Sequence, residues 1–205
     1  MLVCRCPDLL WRHGRSKEGL PGGAAASGID TRRRAGYIMR PWSREVGLAE
    51  FSERELRDAL GRFATGVTVV TTMSARGPLG ITANSFASVS LDPPLVLWSP
   101  ARKSRRFPDF EAASHFAIHV LSAGQKAMAE RFAQPGEGIV ESDFAIGIGD
   151  APLLEGCTAR FECRHAAGYE GGDHLIVVGE VLRLVQADLP PLLYHRGRYC
   201  GLTIR

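Results

Sequence analysis

Beyond residue 50, polar and apolar positions fall into short blocks whose period keeps changing. Ser52 stands three residues before Glu55, the spacing of a capping box, and Leu56, Ala59, Leu60 and Phe63 follow on one helical face. This predicts a helix that Gly66 ends. Val67 to Met73 is largely β-branched, and Ala75-Arg76-Gly77 turns the chain back into Leu79–Ala83, which predicts a β-hairpin. Leu95 to Trp98 and His115 to Leu121 read as two more strands. Ser122 with Gln125 makes a second capping box, opening a helix through Phe132 that Pro135-Gly136 terminates. Cys157, Ala159, Phe161 and Cys163 alternate with Thr158, Arg160, Glu162 and Arg164, so this strand should have one wet face. Leu175 to Val185 is the longest apolar strand, with Gly179 as a bulge or bend, and Arg198 to Ile204 closes the chain. Strands dominate and do not alternate with helices in βαβ order. The expected architecture is mainly β, a closed antiparallel barrel with a few peripheral helices.

Composition narrows this picture. The chain has 205 residues, 45% hydrophobic and 23% charged, which suits one ordinary globular domain and excludes collagen-like and disulfide-dense classes. No stretch approaches the roughly 18 apolar residues of a membrane-spanning helix. The net charge of +3 is unevenly held: residues 1–40 carry +5 and the remainder −2. Residues 1–40, with Gly22-Gly23-Ala24-Ala25-Ala26 and Arg32-Arg33-Arg34, are expected to be a disordered basic segment, and 41–205 the folded domain. The folded protein should begin near Met39, itself a candidate start; a basic interaction tail is the alternative. Cys4 and Cys6 form half a metal motif with no second half. Cys157 and Cys163 would lie about 20 Å apart on a straight strand, at ~3.3 Å per residue, too far to bridge. An odd cysteine count without a signal peptide predicts a reduced, cytoplasmic protein.

The chemistry is defined first by what is missing. No G-x-G-x-x-G or G-x-x-x-x-G-K-[ST] loop offers a phosphate cradle, and neither H-E-x-x-H nor G-x-S-x-G occurs. The six histidines lack ligand spacing, so no metal site is expected. Three features remain. Gly80 to Pro94 places Thr82, Asn84, Ser85, Ser88 and Ser90 at a strand end, either as donors to a polar ligand or as hydroxyls bonding their own backbone. Arg102-Lys103-Ser104-Arg105-Arg106 combines cations with a hydroxyl, as phosphate binding requires, yet a solvated basic face would read the same way. Gly171-Gly172-Asp173-His174 sets a histidine at the start of the longest apolar strand, as a structural or a functional residue.

In this order, the segments resemble the flavin reductase family with the FMN-binding split-barrel fold. The carriers are Phe63-Ala64-Thr65-Gly66-Val67-Thr68-Val69-Val70-Thr71-Thr72, the Thr82 to Pro94 stretch, Gly172-Asp173-His174, and Pro191-Leu192-Leu193-Tyr194 leading to Arg198-Tyr199. The resemblance runs from about Phe51 to Leu202. It implies an NAD(P)H:flavin oxidoreductase, with FMN or FAD and NADH or NADPH, that supplies reduced flavin to a partner monooxygenase and forms a homodimer. It implies that Thr82, Ala83, Asn84 and Ser85, with Ser88, Val89 and Ser90, wall the flavin, and that Lys103 and Ser104 hold its phosphate. His174 would serve as the catalytic histidine near the nicotinamide, with Tyr199 beside it. Arg105 and Arg106 depart from the small polar residues often found there. The rivals are a flavin-binding module without catalysis and a nucleic-acid binder using residues 1–40 with Arg102–Arg106. The acidic body argues against the second.

Overall fold

The computed structural model describes residues 51–134 and 144–202, and Ser52–Arg205 forms one compact unit. The expectations for residues 1–40, for Pro135-Gly136 and for the last three residues lie outside the described ones. The elements are α1 (Glu53–Leu60), β1 (Thr65–Gly66), β2 (Thr68–Ser74), β3 (Gly77–Ala83), β4 (Ala87–Leu91), β5 (Pro94–Trp98), α2 (Phe107–Ala112) and β6 (His115–Val120). A short 3-10 turn, Ala123–Gln125, precedes α3 (Lys126–Ala133). After it come β7 (Ala145–Ile146), β8 (Pro152–Leu153), β9 (Ala159–Gly171), β10 (His174–Gln186), β11 (Leu192–His195) and β12 (Arg198–Gly201).

Seven strands form one antiparallel sheet in the order β3-β2-β6-β9-β10-β5-β4, and β1-β11-β12 form a smaller one. The chain is mainly β with a few helices, as the sequence pattern indicates. No ladder joins β3 to β4 among the described residues, although only Asn84–Phe86 separates them in sequence. Two apolar clusters flank the sheet. Val70 joins Trp98, Phe110, Phe116, Ile118 and Val177 on one face, while Val69 joins Leu121, Phe132, Leu154 and Leu192 on the other. Burial on both faces is why β2 and β6 read as continuous apolar runs instead of alternating ones.

Local signals hold where the chain itself supplies the partner. Ser52 and Glu55 form the capping box, with the Ser52 N–H donating to Glu55 Oε2 at 2.9 Å. The helix stops earlier than expected, because Gly61 caps it by donating to the Arg57 carbonyl at 2.8 Å. Its apolar face is exposed: Leu56, Leu60 and Phe63 contribute nothing to the core. The second capping box also forms, the Ser122 N–H donating to Gln125 Oε1 at 3.0 Å, but its first turn is 3-10 and the α-helix starts only at Lys126.

Two sequence expectations are overturned. The supposed wet face of β9 carries Glu162, only 1% exposed, because the turn at Ile148–Asp150 lies over it. Its carboxylate accepts from the Ile148 N–H at 2.9 Å and from Arg183 at 3.3 Å. The Ala87–Leu91 stretch, read from its hydroxyls as a strand end, is itself the edge strand of the sheet: Ala87, Val89 and Leu91 alternate with Ser88 and Ser90, and Val89 and Leu91 are exposed.

Gly179 marks the expected irregularity, with a register shift between Val178 and Gly179 against β9. A Cβ there would come within 2.5 Å of Phe116 Cζ and 3.0 Å of Cys163 Cβ. Gly179→Ala is therefore expected to cost about 2 kcal/mol of stability, read as a lower urea midpoint at constant m-value. An unchanged midpoint would refute this packing account. Among the described residues, no helix is long and apolar enough to cross a membrane.

Candidate active site

The site begins where β3 meets α3. Gly80 leaves room for the Phe132 ring, which a Cβ would approach to 2.8 Å, and Thr82 Oγ1 donates to the Ala129 carbonyl at 2.7 Å. Along this seam Thr82, Ala83 and Asn84 face Tyr194 and Tyr199 across a cleft of ≈ 200 Å³. Thr82 and Ala133 also border a second cleft of ≈ 410 Å³, lined further by Ala101, Lys103, Ser104 and Arg105. The two share a wall and form one groove from the tyrosines to the basic turn.

The basic run is not a uniform face. Arg102 is held by both carboxylate oxygens of Glu170 at 2.7 Å and lies over the Phe107 ring. Arg106 is only 4% exposed. Its guanidinium donates to the carbonyls of Gly80 at 2.7 Å and Phe132 at 2.8 Å, and to that of Gln134. Burial pulls the pKa of Arg106 below its ordinary value, and its Nε lacks a partner. Arg106 thus ties the C-terminal end of α3 to β3 and places a cation beneath the groove. Lys103 and Arg105 remain at the surface and form no salt bridge among the described residues. The Ser104 hydroxyl accepts from the Arg106 N–H at 3.3 Å and keeps its own proton to donate.

The hairpin turn between β9 and β10 brings the histidine to the same end. Gly172 adopts φ 72°, which the turn requires. The Asp173 carbonyl accepts from the Arg102 N–H at 2.9 Å, and His174 forms a β-bridge with Ala101. His174 Nδ1 donates to Asp173 Oδ1 at 2.7 Å, leaving Nε2 as the ring nitrogen open to another partner. That bond, the charge of His174 and nearby Lys103 hold the Asp173 carboxyl below its usual range.

The expected site residues therefore divide. Thr82, Ala83, Asn84, Lys103, Ser104 and Tyr199 line the groove, and His174 adjoins its basic end. Tyr199 packs on Tyr194 at 5.3 Å in the small sheet, whereas His174 opens β10 in the large one. Burial, then Tyr194 and Glu130, raise the Tyr199 pKa. Ser88, Val89 and Ser90 lie on edge strand β4, with a bulge between Ser88 and Ser90, and line neither cleft. Several hydroxyls serve the backbone: Ser85 Oγ accepts from the Ser99 N–H at 2.9 Å, and Ser90 Oγ from the Asp92 N–H at 3.2 Å. Asn84 has no hydrogen-bond partner among the described residues and faces the groove mouth.

A family model for the flavin reductase like domain matches residues 60–203, spanning the whole groove. The chain belongs to this family. Among flavin reductases, it is 53% identical over 148 residues to FMN reductase (NADH) SmoA of Agrobacterium fabrum, covering 72% of this chain and 85% of that one. It is 47% identical to the reductase component of the flavin-dependent trigonelline monooxygenase of Acinetobacter baylyi, covering 71% of this chain but 48% of that protein. The solved Streptomyces globisporus NADH:FAD oxidoreductase SgcE6, in complex with NAD and FAD fragments, superposes with a TM-score of 0.69 at 39% identity, covering 74% of this chain and 93% of the other. Among the groove residues that sequence reasoning did not assign to the site are Tyr194 and Arg106. Tyr194 has a signal, since it stands in the Pro191-Leu192-Leu193-Tyr194 string that carries the resemblance. The clamp made by Arg106 has none, since its three carbonyl partners lie far off in sequence.

Proposed function

We propose that this protein is an NAD(P)H:flavin oxidoreductase that passes a hydride from the nicotinamide to FMN or FAD and supplies reduced flavin to a separate monooxygenase. The observation that carries this reading is the groove itself: an unpaired amide and two tyrosines at one end, a hydroxyl among cations at the other. That donor set suits a flat polar ring attached to a phosphate. The flavin and nicotinamide, when bound, supply the hydride acceptor and donor, so the protein needs no nucleophile.

In this reading Lys103 and Ser104 bind the flavin phosphate by charge-assisted hydrogen bonds, with Arg106 adding positive potential from below. Asn84 and the Thr82–Ala83 backbone hold the ring edge. Thr82 has committed its proton to Ala129 and can only accept. Ser85 fixes the β3–β4 link, and Ser88, Val89 and Ser90 act along the β4 edge. His174, oriented by Asp173, positions the nicotinamide through Nε2. We also read the large sheet as a split barrel completed by the small one; the Val67 N–H to Leu192 carbonyl bond at 3.2 Å supports that closure. A homodimer fits the exposed Leu182, Leu184, Val185 and Leu189 near the end of β10. The free thiols of Cys157, Cys163 and Cys200 fit the cytoplasm.

The test is oxidation of NADH and NADPH by the purified chain with no flavin, riboflavin, FMN or FAD. Flavin-dependent turnover is expected, and His174→Ala should raise the KM for the nicotinamide nucleotide about tenfold while leaving flavin affinity within twofold. Flavin binding without nicotinamide oxidation would make the protein a flavin-binding module. A loss of flavin affinity in the variant, with KM unchanged, would remove His174 from the nicotinamide.

A further inference from the structure

Arg102 meets two carboxylates on different elements. Its Nη2 donates to both oxygens of Glu170, on β9, at 2.7 Å, whereas Glu111, on α2, stands 3.9 Å from Nη1. An exposed ion pair usually contributes little, because two long side chains must be held in one geometry. Here the arginine is already held. Its guanidinium carbon lies 5.1 Å from the centroid of the Phe107 ring, and Phe107 belongs to the buried cluster of Trp98 and Val177. The Glu170–Arg102 pair therefore ties the β9–β10 hairpin to a side chain anchored in the core.

The hairpin end that it reaches carries His174. Gly171 pairs with His174 to close the turn, and Glu170 stands opposite Leu175, one step further along. Gly171, Gly172 and Asp173 are exposed, and two successive glycines leave the backbone freedom there. Three backbone contacts join this end to the segment before Lys103. The Arg102 N–H donates to the Asp173 carbonyl at 2.9 Å, the Leu175 N–H donates to the Pro100 carbonyl at 3.1 Å, and Ala101 forms the bridge to His174. The Glu170–Arg102 pair adds a side-chain fastening across the same seam. The Ala101 carbonyl also accepts from the Ser104 N–H at 3.0 Å, so the residues that grip the hairpin begin the Lys103–Ser104 turn.

On the reading of the protein as a flavin reductase, we infer that Arg102 and Glu170 are positioning residues that hold His174 in register with the Lys103–Ser104 turn. Both act through His174, without contact of their own to flavin or nicotinamide. Arg102 commits its side chain to Glu170 and Phe107 and its N–H to Asp173, and it leaves phosphate to its two neighbours. A misplacement of about 1 Å can cost roughly 100-fold in rate. A hairpin end free to rock on Gly171-Gly172 would carry the Nε2 of His174 out of place.

The full chain is compared as wild type, Glu170→Gln, Arg102→Gln and Glu111→Gln, first without flavin. Amide hydrogen exchange at positions 102 and 175, whose N–H groups close the seam, should quicken about fivefold in the first two variants. It should stay within twofold in Glu111→Gln, which removes the same unit of charge beside Arg102 without reaching the hairpin. The Glu170 side chain is 80% exposed, so its substitution leaves the fold intact even where Arg102→Gln does not. With FMN present, the KM for NADH should rise about fivefold in Glu170→Gln and Arg102→Gln, while FMN affinity in Glu170→Gln stays within twofold. Glu170→Gln added to His174→Ala should raise KM no further, whereas a merely structural role would add its own loss. Unchanged exchange in Glu170→Gln, an unchanged KM, an equal rise in Glu111→Gln, or an undiminished effect beside His174→Ala overturns the proposal. A wild-type chain that oxidises no NADH with any flavin refutes the reductase reading instead, while exchange in the flavin-free chain still decides whether the pair holds the hairpin.

Discussion

Between pH 6.5 and pH 4 the protein is expected to lose about 3 kcal/mol of folding stability through His119 alone. This imidazole is fully buried on β6, with Nδ1 donating to the Val69 carbonyl at 3.0 Å and Nε2 accepting from the Leu154 N–H at 3.1 Å. Nε2 can accept only in the neutral ring, whereas the Nδ1 bond survives protonation, and burial outweighs that bond and pushes the pKa from 6.5 down to about 4. The unfolded chain takes up a proton near pH 6.5 and the folded one does not. Stability is therefore full above that pH, declines as pH falls toward 4, and levels off below. At ~1.36 kcal/mol per pH unit the interval amounts to about 3 kcal/mol. Urea unfolding at half-unit pH steps measures this, with His119→Gln as the comparison. The variant should be less stable at pH 7 and show a flatter profile over the same interval. An equally steep profile in the variant would assign the acid sensitivity to other groups.

Replacing both Lys103 and Ser104 by alanine is expected to weaken FMN binding about 100-fold while leaving riboflavin within twofold. Riboflavin lacks only the phosphate, so the comparison isolates that group. Hydrogen bonds to a charged partner contribute ~1.5 kcal/mol or more each, and two of them account for about two orders of magnitude. Arg106 is left in place because its guanidinium holds three carbonyls and its removal would loosen α3. Fluorescence quenching of the flavin on titration reads both constants. Equal weakening of FMN and riboflavin would mean that the Lys103–Ser104 turn shapes the groove without contacting the phosphate.

The basic run illustrates how composition misleads about a surface. In sequence it is a cluster of four cations around a serine. In the fold, Arg102 is neutralised by Glu170, Arg106 is buried, and only Lys103 and Arg105 face solvent. A nucleic-acid contact built on the whole run has lost half of its charges to the interior and to ion pairs. Glu162 makes the opposite case: a charged residue at an outward-facing strand position became buried because a distant turn covers it and its donors accompany it.

What the sequence determined by itself is what neighbours along the chain can decide. The Ser52–Glu55 box, the hairpin at Ala75–Gly77, the bulge at Gly179 and the strand through Cys163 each depend on contacts or spacings within one or two elements. Family-level chemistry was legible for the same reason, since Thr82–Ser90, Lys103-Ser104 and Asp173-His174 are local strings. The tertiary structure alone decided which of these side chains meet. It joined Lys103-Ser104 to Thr82 along one cleft, placed Tyr199 and His174 in different sheets, and withdrew Ser85 and Ser90 into backbone bonds. It also exposed the apolar face of α1 and, among the described residues, left the Thr65 hydroxyl without a hydrogen-bond partner. Periodicity records how many faces of an element are apolar, but the atoms that cover those faces come from residues far away in the chain, and their positions follow only from strand order and packing.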